Sequence, residues 1–327
     1  MSQFEKIACL GAGRMGRGIA VVFAYAGHNV AIIDAKPREA KEFNSLEAET
    51  VGEIRATLLT LSGLGMFDAN AIDRIMTRVR VVSDAAAAGA LGEANIIFEG
   101  VPEVVDLKRE LFARVSPLTR SDAIIASTTS TILVDDLSDS VVVPERFLNA
   151  HWLNPAFLVP LVELSPGKLT SSAATDVLRN LLERVGKVPV ICAARPGYIV
   201  PRIQTLAMNE AARMVEEGVA SADDIDKALK YGFGFRFSVL GVLEFIDWGG
   251  GDILFYASRY LTKALDSERY AAPDIIEQNM NNGRIGLKSL EGFLDYRGKD
   301  IAAYREERLG AFVDRLSAFG LVRAPVL

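Results

Sequence analysis

Residues 6–26 read KIACLGAGRMGRGIAVVFAYA: a short apolar run, three glycines spaced G-x-G-x-x-G, then an apolar helical pattern. Few chain arrangements accept that order. Gly11 suits a tight turn, Gly13 lets backbone come close to a pyrophosphate, and Gly16 lets a helix pack closely on a strand. The first turn of such a helix offers unpaired N–H groups and a partial positive charge to an anion. The triplet alone is a weak signal, but its surroundings complete it. Val30–Ile33 reads as a second strand, and Asp34 follows it 18 residues beyond Gly16, where a carboxylate accepts from adenosine ribose hydroxyls and repels a 2′-phosphate. The expected cofactor is therefore NAD, held by Gly11, Ala12, Gly13, Arg14, Met15, Gly16 and Asp34. Lys36 and Arg38, just beyond, leave NADP as the alternative.

The pattern continues as alternating strands and helices. Val79–Val82, Ile96–Glu99 and Ala123–Ser127 read as further strands, with a long helical stretch from about Arg38 to Leu61 and another from about Asp106 to Val115. Phe147–Ala150 and Leu158–Leu164 are β-rich runs on either side of Pro155; a helix near Thr175–Val185 and the run Val188–Ile191 follow. Such alternation predicts a Rossmann-type doubly wound parallel α/β sheet. From Pro196 the pattern is mostly helical, with an amphipathic stretch over Ile199–Glu217 and an N-capped one from Ser221. Two domains are expected: 1–193, binding the dinucleotide, and 194–327, all-helical, for substrate and dimer contacts.

Composition narrows the function classes. The 327 residues are 50% hydrophobic and 24% charged, the balance of a folded globular protein. A net charge of −6 argues against nucleic acid or an anionic membrane as partner. Two cysteines, Cys9 and Cys192, give neither a disulfide framework nor a cysteine-rich metal site, so no metal is expected. The opening residues do not read as a signal peptide and no run spans a membrane, so a cytoplasmic location is expected.

Two histidines are present. His28, in AGHNV between helix and strand, reads as a surface residue. His151, in NAHWLNPAFLVPLVEL, would by default be a packed core residue, but its company suggests more. Ser130 lies in ASTTST at the end of a strand, and Glu163 lies in the next β-rich run. A serine, a histidine and a glutamate so placed can form a proton-transfer set, since a neutral imidazole oriented by a carboxylate is a good base near neutral pH.

The chain resembles the L-3-hydroxyacyl-CoA dehydrogenase family along essentially its whole length. The resemblance rests on GAGRMGRGIA, IIFEGVPEVVDLKRELF, ASTTST, HWLNP with PLVEL, and GRIGLKSLEGFLDY. It implies that His151 takes the hydroxyl proton, that Glu163 orients the imidazole, and that Ser130 holds the substrate oxygen. It also places Glu103, Lys108, Asn154 and Lys288 toward the nicotinamide end of the cofactor, and it implies a homodimer formed through the second domain, with the active site in a cleft between the domains. Each cofactor position has a plain alternative: a local ion pair for Glu103 and Lys108, a turn residue for Asn154, a solvated charge for Lys288.

Three departures separate the chain from the acyl-CoA enzymes. Their GFIVNR-like string, with its catalytic asparagine, is GYIVPR here, and Pro201 has no amide to offer; Arg202, Gln204 and Asn209 lie nearby in sequence as replacements. The lysine that they place against CoA aligns with Thr57, with Arg55 the nearest base. Their GYPMGPFEL-like segment is GFGFRFSVLGVLEF, with Arg236 inside an apolar run. These features resemble the relatives acting on small free acids, such as L-gulonate, carnitine and pyridine-carboxylate dehydrogenases. An arginine so placed needs an anion, and a substrate carboxylate is one solution; pairing with Glu244, or plain exposure, is the other. The expected activity is reversible hydride transfer between NAD and a secondary alcohol β to a carboxylate or acyl carbonyl, with a small free 3-hydroxy acid favoured. A 3-hydroxybutyryl-CoA dehydrogenase and a non-enzymatic crystallin-like NAD-binding protein are the alternatives.

Overall fold

The computed structural model describes residues 5–326. Eight strands form one sheet: β1 Lys6–Leu10, β2 Asn29–Ile33, β3 Val79–Val82, β4 Ile96–Glu99, β5 Ile124–Ser127, β6 Phe147–Trp152, β7 Leu161–Pro166 and β8 Val188–Ile191, in the spatial order β3-β2-β1-β4-β5-β6-β7-β8. Every neighbouring pair is parallel except β6 and β7, which run antiparallel with His151 opposite Glu163. The expected doubly wound fold is present, with this one antiparallel hairpin added. Its helices are α1 Arg14–Tyr25, α2 Ala40–Gly63, α3 Ile72–Met76, α4 Ala87–Glu93, α5 Val105–Val115 and α6 Ser172–Arg184.

Alternation along the strands sends successive side chains to opposite faces. Ile7, Cys9, Ile32 and Phe98 pack on one face with Ile19 and Phe23 of α1, Leu58 of α2 and Leu178 of α6. Ala8, Leu10, Ile33 and Ile97 pack on the other with Leu91 of α4 and Leu111 and Phe112 of α5. Both faces are covered, so the central strands read as continuous apolar runs. Burial pushes the Cys9 thiol up to about 12 and leaves it unreactive.

Two expectations change. His28 is buried, not on the surface: its Nδ1 accepts from the Glu5 amide at 2.9 Å and its ring meets Phe23 edge-on. The run Leu158–Leu164 becomes strand only from Leu161, because residues 155–159 form a turn in which the Leu158 and Val159 amides donate to the Pro155 carbonyl. That turn is held by Lys187, whose ammonium donates to the Ala156 and Val159 carbonyls.

The chain divides into two compact units, the first ending at Ala207 and the second starting at Met208. The division falls within α7, Val200–Glu216, later than the boundary expected between residues 193 and 194, because Tyr198, Ile199 and Val200 bond into the first unit. Pro201 sits in the first turn of α7, where a missing N–H costs nothing. The second unit is helical beyond α7, with α8 Ala222–Ala228, α9 Phe235–Phe237, α10 Val242–Gly249, α11 Gly251–Ala264, α12 Asp274–Asn281 and α13 Ile301–Ala318. Asp247 is buried there and accepts from the amides of Phe293 and Leu294, pinning the segment after α12. Among the described residues no helix is long and apolar enough to cross a membrane, and no cluster of metal-ligating side chains occurs.

Candidate active site

The strand order reverses between β1 and β4, the switch point at which ligands of such sheets bind beyond the carboxyl ends of the strands. A cavity of about 890 Å³ opens there. Of the residues singled out from the sequence, Gly11, Ala12, Gly13, Arg14, Met15, Asp34, Glu103, Ser130, His151 and Asn154 line it. Gly16, Lys108 and Glu163 stand behind its wall. Lys288 and Arg236 belong to the second unit. A smaller cavity, about 410 Å³, shares Arg14 and Asn154 with the first and is lined also by Arg17, Thr57 and Phe157.

The glycine loop is built for a bound pyrophosphate. Gly11 has φ +101°, and a Cβ on Gly16 would meet the Gly11 carbonyl oxygen at 2.1 Å. A Cβ on Gly13 would meet no protein atom within 4 Å and would enter the cavity instead. No side chain caps α1, so its first amides are left for an anion. Asp34 is buried at the end of β2 and accepts from Arg38 Nε at 2.6 Å. Arg38 thus lies beside the carboxylate expected to meet the ribose. These residues fit a nicotinamide dinucleotide, with no free cation of the loop required to hold it.

The loop following β5 presents Ser130, and Glu103 organises it. Glu103 Oε1 accepts from the amides of Ser130 and Thr131 at 2.9 and 3.0 Å, from the Thr131 hydroxyl at 3.0 Å, and from the Thr129 hydroxyl. Against the cost of partial burial, the hydrogen bonds from Thr129 and Thr131 and the Lys108 charge hold the Glu103 carboxyl below its usual range. Lys108 is fully buried. Its Nζ lies 2.7 Å from Glu99 Oε1 and 3.5 Å from Glu103 Oε2. Glu99 also accepts from Ser127 Oγ at 2.5 Å and the Val101 amide at 2.7 Å. Lys108 therefore does not reach the cavity, and any effect it has there passes through Glu103. The sequence reading missed Glu99; its signal was a carboxylate ending the apolar run IIFE, nine residues before a lysine.

His151 and Glu163 face each other across the β6–β7 pair. Nδ1 of the imidazole lies 2.8 Å from Glu163 Oε2, and both side chains are buried. Glu163 Oε1 accepts from the amides of Ile199 and Val200, each at 2.9 Å. Two amide donors thus occupy Oε1 and leave Oε2 facing the imidazole. Where Nδ1 carries the imidazole N–H and donates to Oε2, Nε2 keeps its lone pair and can act as a base. Tyr198, which the sequence reading did not single out, stacks on the imidazole with ring centroids 5.2 Å apart.

In the second unit, Arg236 is exposed and lies 5.2 Å over the Phe245 ring, with no ion-pair partner among the described residues. Glu244 is not that partner, since it accepts from Tyr304, Arg308 and the Gly241 amide. Lys288 is exposed, 3.8 Å from Asp252.

Comparison with known proteins agrees with this geometry. Residues 6–195 match the NAD binding domain of 3-hydroxyacyl-CoA dehydrogenase and residues 197–296 match the C-terminal domain of the same enzyme. The chain belongs to the 3-hydroxyacyl-CoA dehydrogenase family. It is accordingly an NAD-dependent dehydrogenase acting on a hydroxyl group. Among its relatives, the 5-formyl-3-hydroxy-2-methylpyridine 4-carboxylate 5-dehydrogenase of Mesorhizobium japonicum is 30% identical, over 93% of this chain and 94% of the relative. The 3-hydroxyadipyl-CoA dehydrogenase of Escherichia coli is 32% identical, over 91% of this chain and 60% of the relative. A solved 3-hydroxyacyl-CoA dehydrogenase from Archaeoglobus fulgidus superposes with a TM-score of 0.75 at 29% identity, over 97% of this chain and all of the other.

Proposed function

We propose that this family member oxidises, reversibly, a small free 3-hydroxy acid. NAD, when bound, accepts the hydride from the carbinol carbon. His151 Nε2 takes the hydroxyl proton in oxidation and returns it in reduction, while Glu163 balances the imidazolium charge. Ser130 holds the reacting oxygen. Glu103, Asn154 and Lys288 are proposed for the nicotinamide end of the cofactor, and Arg236 for the substrate carboxylate, which its unpaired guanidinium suits.

The observation that carries the free-acid reading is the state of the basic side chains around α2. Arg17 is clamped by Glu49 and Glu53, and Arg55 by Asp73 at 2.8 Å. Thr57 lines the smaller cavity at the position where the resemblance expects a lysine against CoA. Arg14, which also lines that cavity, has no ion-pair partner among the described residues, so the reading rests on the engagement of Arg17 and Arg55 and on Thr57 standing in place of a lysine. The Mesorhizobium relative, named for a pyridine carboxylate, fits this reading; the Escherichia coli relative, named for a CoA ester, keeps the thioester as the second reading.

NADH formation with purified protein, compared across free 3-hydroxy acids, carnitine, L-gulonate and 3-hydroxybutyryl-CoA, tests it. Turnover of a free acid that falls in Arg236→Met, chiefly through KM, is the expected result. Turnover of the thioester alone, indifferent to Arg236, would overturn it.

We also propose that the working form is a homodimer built on the second unit. Helix α11 exposes Ile253, Tyr256 and Tyr260 at helical spacing, an apolar stripe that solvent does not favour.

A further inference from the structure

One short segment touches His151 and Glu163 and bonds to the residue before Ser130. Gly197 and Tyr198 both have positive φ, +79° and +42°, a conformation costly for an aromatic residue. That turn brings three contacts into place. The Tyr198 ring lies nearly parallel to the His151 imidazole, at an interplanar angle of 15°. Its hydroxyl accepts from Asn149 Nδ2 at 2.9 Å and donates to the Thr129 carbonyl at 3.1 Å. The next two amides are those that hold Glu163.

We infer that Tyr198 is a positioning residue for the acid/base histidine. This rests on His151 being the base, and it adds to that reading what fixes the base. Glu163 restrains the imidazole only at Nδ1, which leaves the ring free to tilt about that hydrogen bond. A flat aromatic face removes that freedom, so Nε2 keeps one direction into the cavity that His151 lines. The hydroxyl joins the same ring to the start of the Ser130 loop, because Thr129 is the residue before Ser130. Asn149 completes the link: it donates also to the Ile132 carbonyl and sits on β6 two residues before His151. Base and oxygen-holding serine are thereby registered against one side chain. The face of a phenol ring is also electron-rich and favours a cation stacked on it, so it supports the imidazolium that forms on proton uptake. Groups near the pair are Glu163 on β7, Cys192 after β8 and Glu103 after β4, and burial holds the Tyr198 phenol above its usual range, so it stays a donor.

The chain's two histidines make the test direct. In a histidine-labelled sample, the His151 ring protons are identified by their loss in His151→Gln, and stacking places them upfield of an unstacked imidazole. Tyr198→Leu is expected to move them downfield and to lower kcat on the order of 10- to 100-fold, with KM for substrate and NAD unchanged, since Tyr198 does not line the cavity. Tyr198→Phe keeps the ring and is expected to retain the upfield shift and to recover most of the kcat lost in Tyr198→Leu. Full kcat in Tyr198→Leu overturns the inference, as do unstacked shifts for His151 in the unaltered protein, a result that stands even if Tyr198→Leu fails to fold. If His151→Gln itself keeps full activity, the base assignment fails instead.

Discussion

In the first unit, six strands stacked between two helical layers bury Phe23, Phe98, Phe112, Phe147 and Trp152 almost completely, and only the edge strands β3 and β8 are left partly open. In the second unit, the buried apolar side chains among the described residues are Ile225, Leu240, Ile276, Leu287 and Tyr296, while Phe233, Leu243, Ile253, Tyr256, Tyr260 and Val313 are among many left exposed. A sheet covered on both faces closes its own core. A set of helices that shows this much apolar surface depends on something else to cover it, and we propose that a second copy does so. On that proposal the first unit carries the cofactor loop and the His151–Glu163 pair on a self-sufficient scaffold, and the second would derive much of its order from association.

The variant that should break this comparison most severely is Tyr256→Asp. A charge in the α11 stripe is expected to dissociate the dimer and to lower the thermal midpoint of the second unit, while NAD binding by the first unit persists. Light scattering and calorimetry, read together with cofactor titration, measure all three. A dimer that survives the substitution with its stability intact would show that the α11 face is not the contact.

Truncations sharpen the same contrast. Phe112 is fully buried against Phe147, ring centroids 5.0 Å apart. Phe112→Ala is expected to cost roughly 3–5 kcal/mol, with a value independent of protein concentration. Tyr260 is 71% exposed within its own chain. Tyr260→Ala should cost little in the dissociated chain, typically within about 0.5 kcal/mol, and more as concentration drives association. Denaturant unfolding at two protein concentrations checks both, and equal concentration dependence for the two variants would remove the distinction.

The parts of the molecule that were legible in the sequence are those governed by local periodicity and by one motif. The run Lys6–Leu10, the glycine loop and Asp34 follow from spacing alone, because each needs only its neighbours in the chain. Strand alternation gave the sheet. The His151–Glu163 pair is suggested by its place in the sequence and given its roles by the family resemblance, and the structure shows what brings it together: an antiparallel hairpin sets the two residues opposite each other. What was not legible depends on elements distant in sequence. Tyr198 lies 47 residues beyond His151, just ahead of the amphipathic stretch that starts at Ile199, and nothing local ties it to the imidazole. Lys108 reads as a group at the nicotinamide end of the cofactor, or as half of a local ion pair with Glu103, and only the packing of α5 over Glu99 buries it. His28 looked like a loop residue because nothing local reveals that the Glu5 amide needs an acceptor.

The smallest expected effect concerns the loop that presents Ser130, within the better-packed unit. The Glu103 carboxyl is held below its usual value, so its charge favours the folded state at pH above the unfolded value, about 4.3. That contribution declines as pH falls through the folded value, where both states are protonated. Glu103→Gln keeps an acceptor for the Ser130 and Thr131 amides but loses the charge facing Lys108. Its thermal midpoint is therefore expected to lie slightly below that of the unaltered protein near neutral pH, and the gap should close on acidification below about pH 4. A gap of constant size across that range would mean that the carboxylate acts by shape alone, with its charge contributing nothing to the order of the loop.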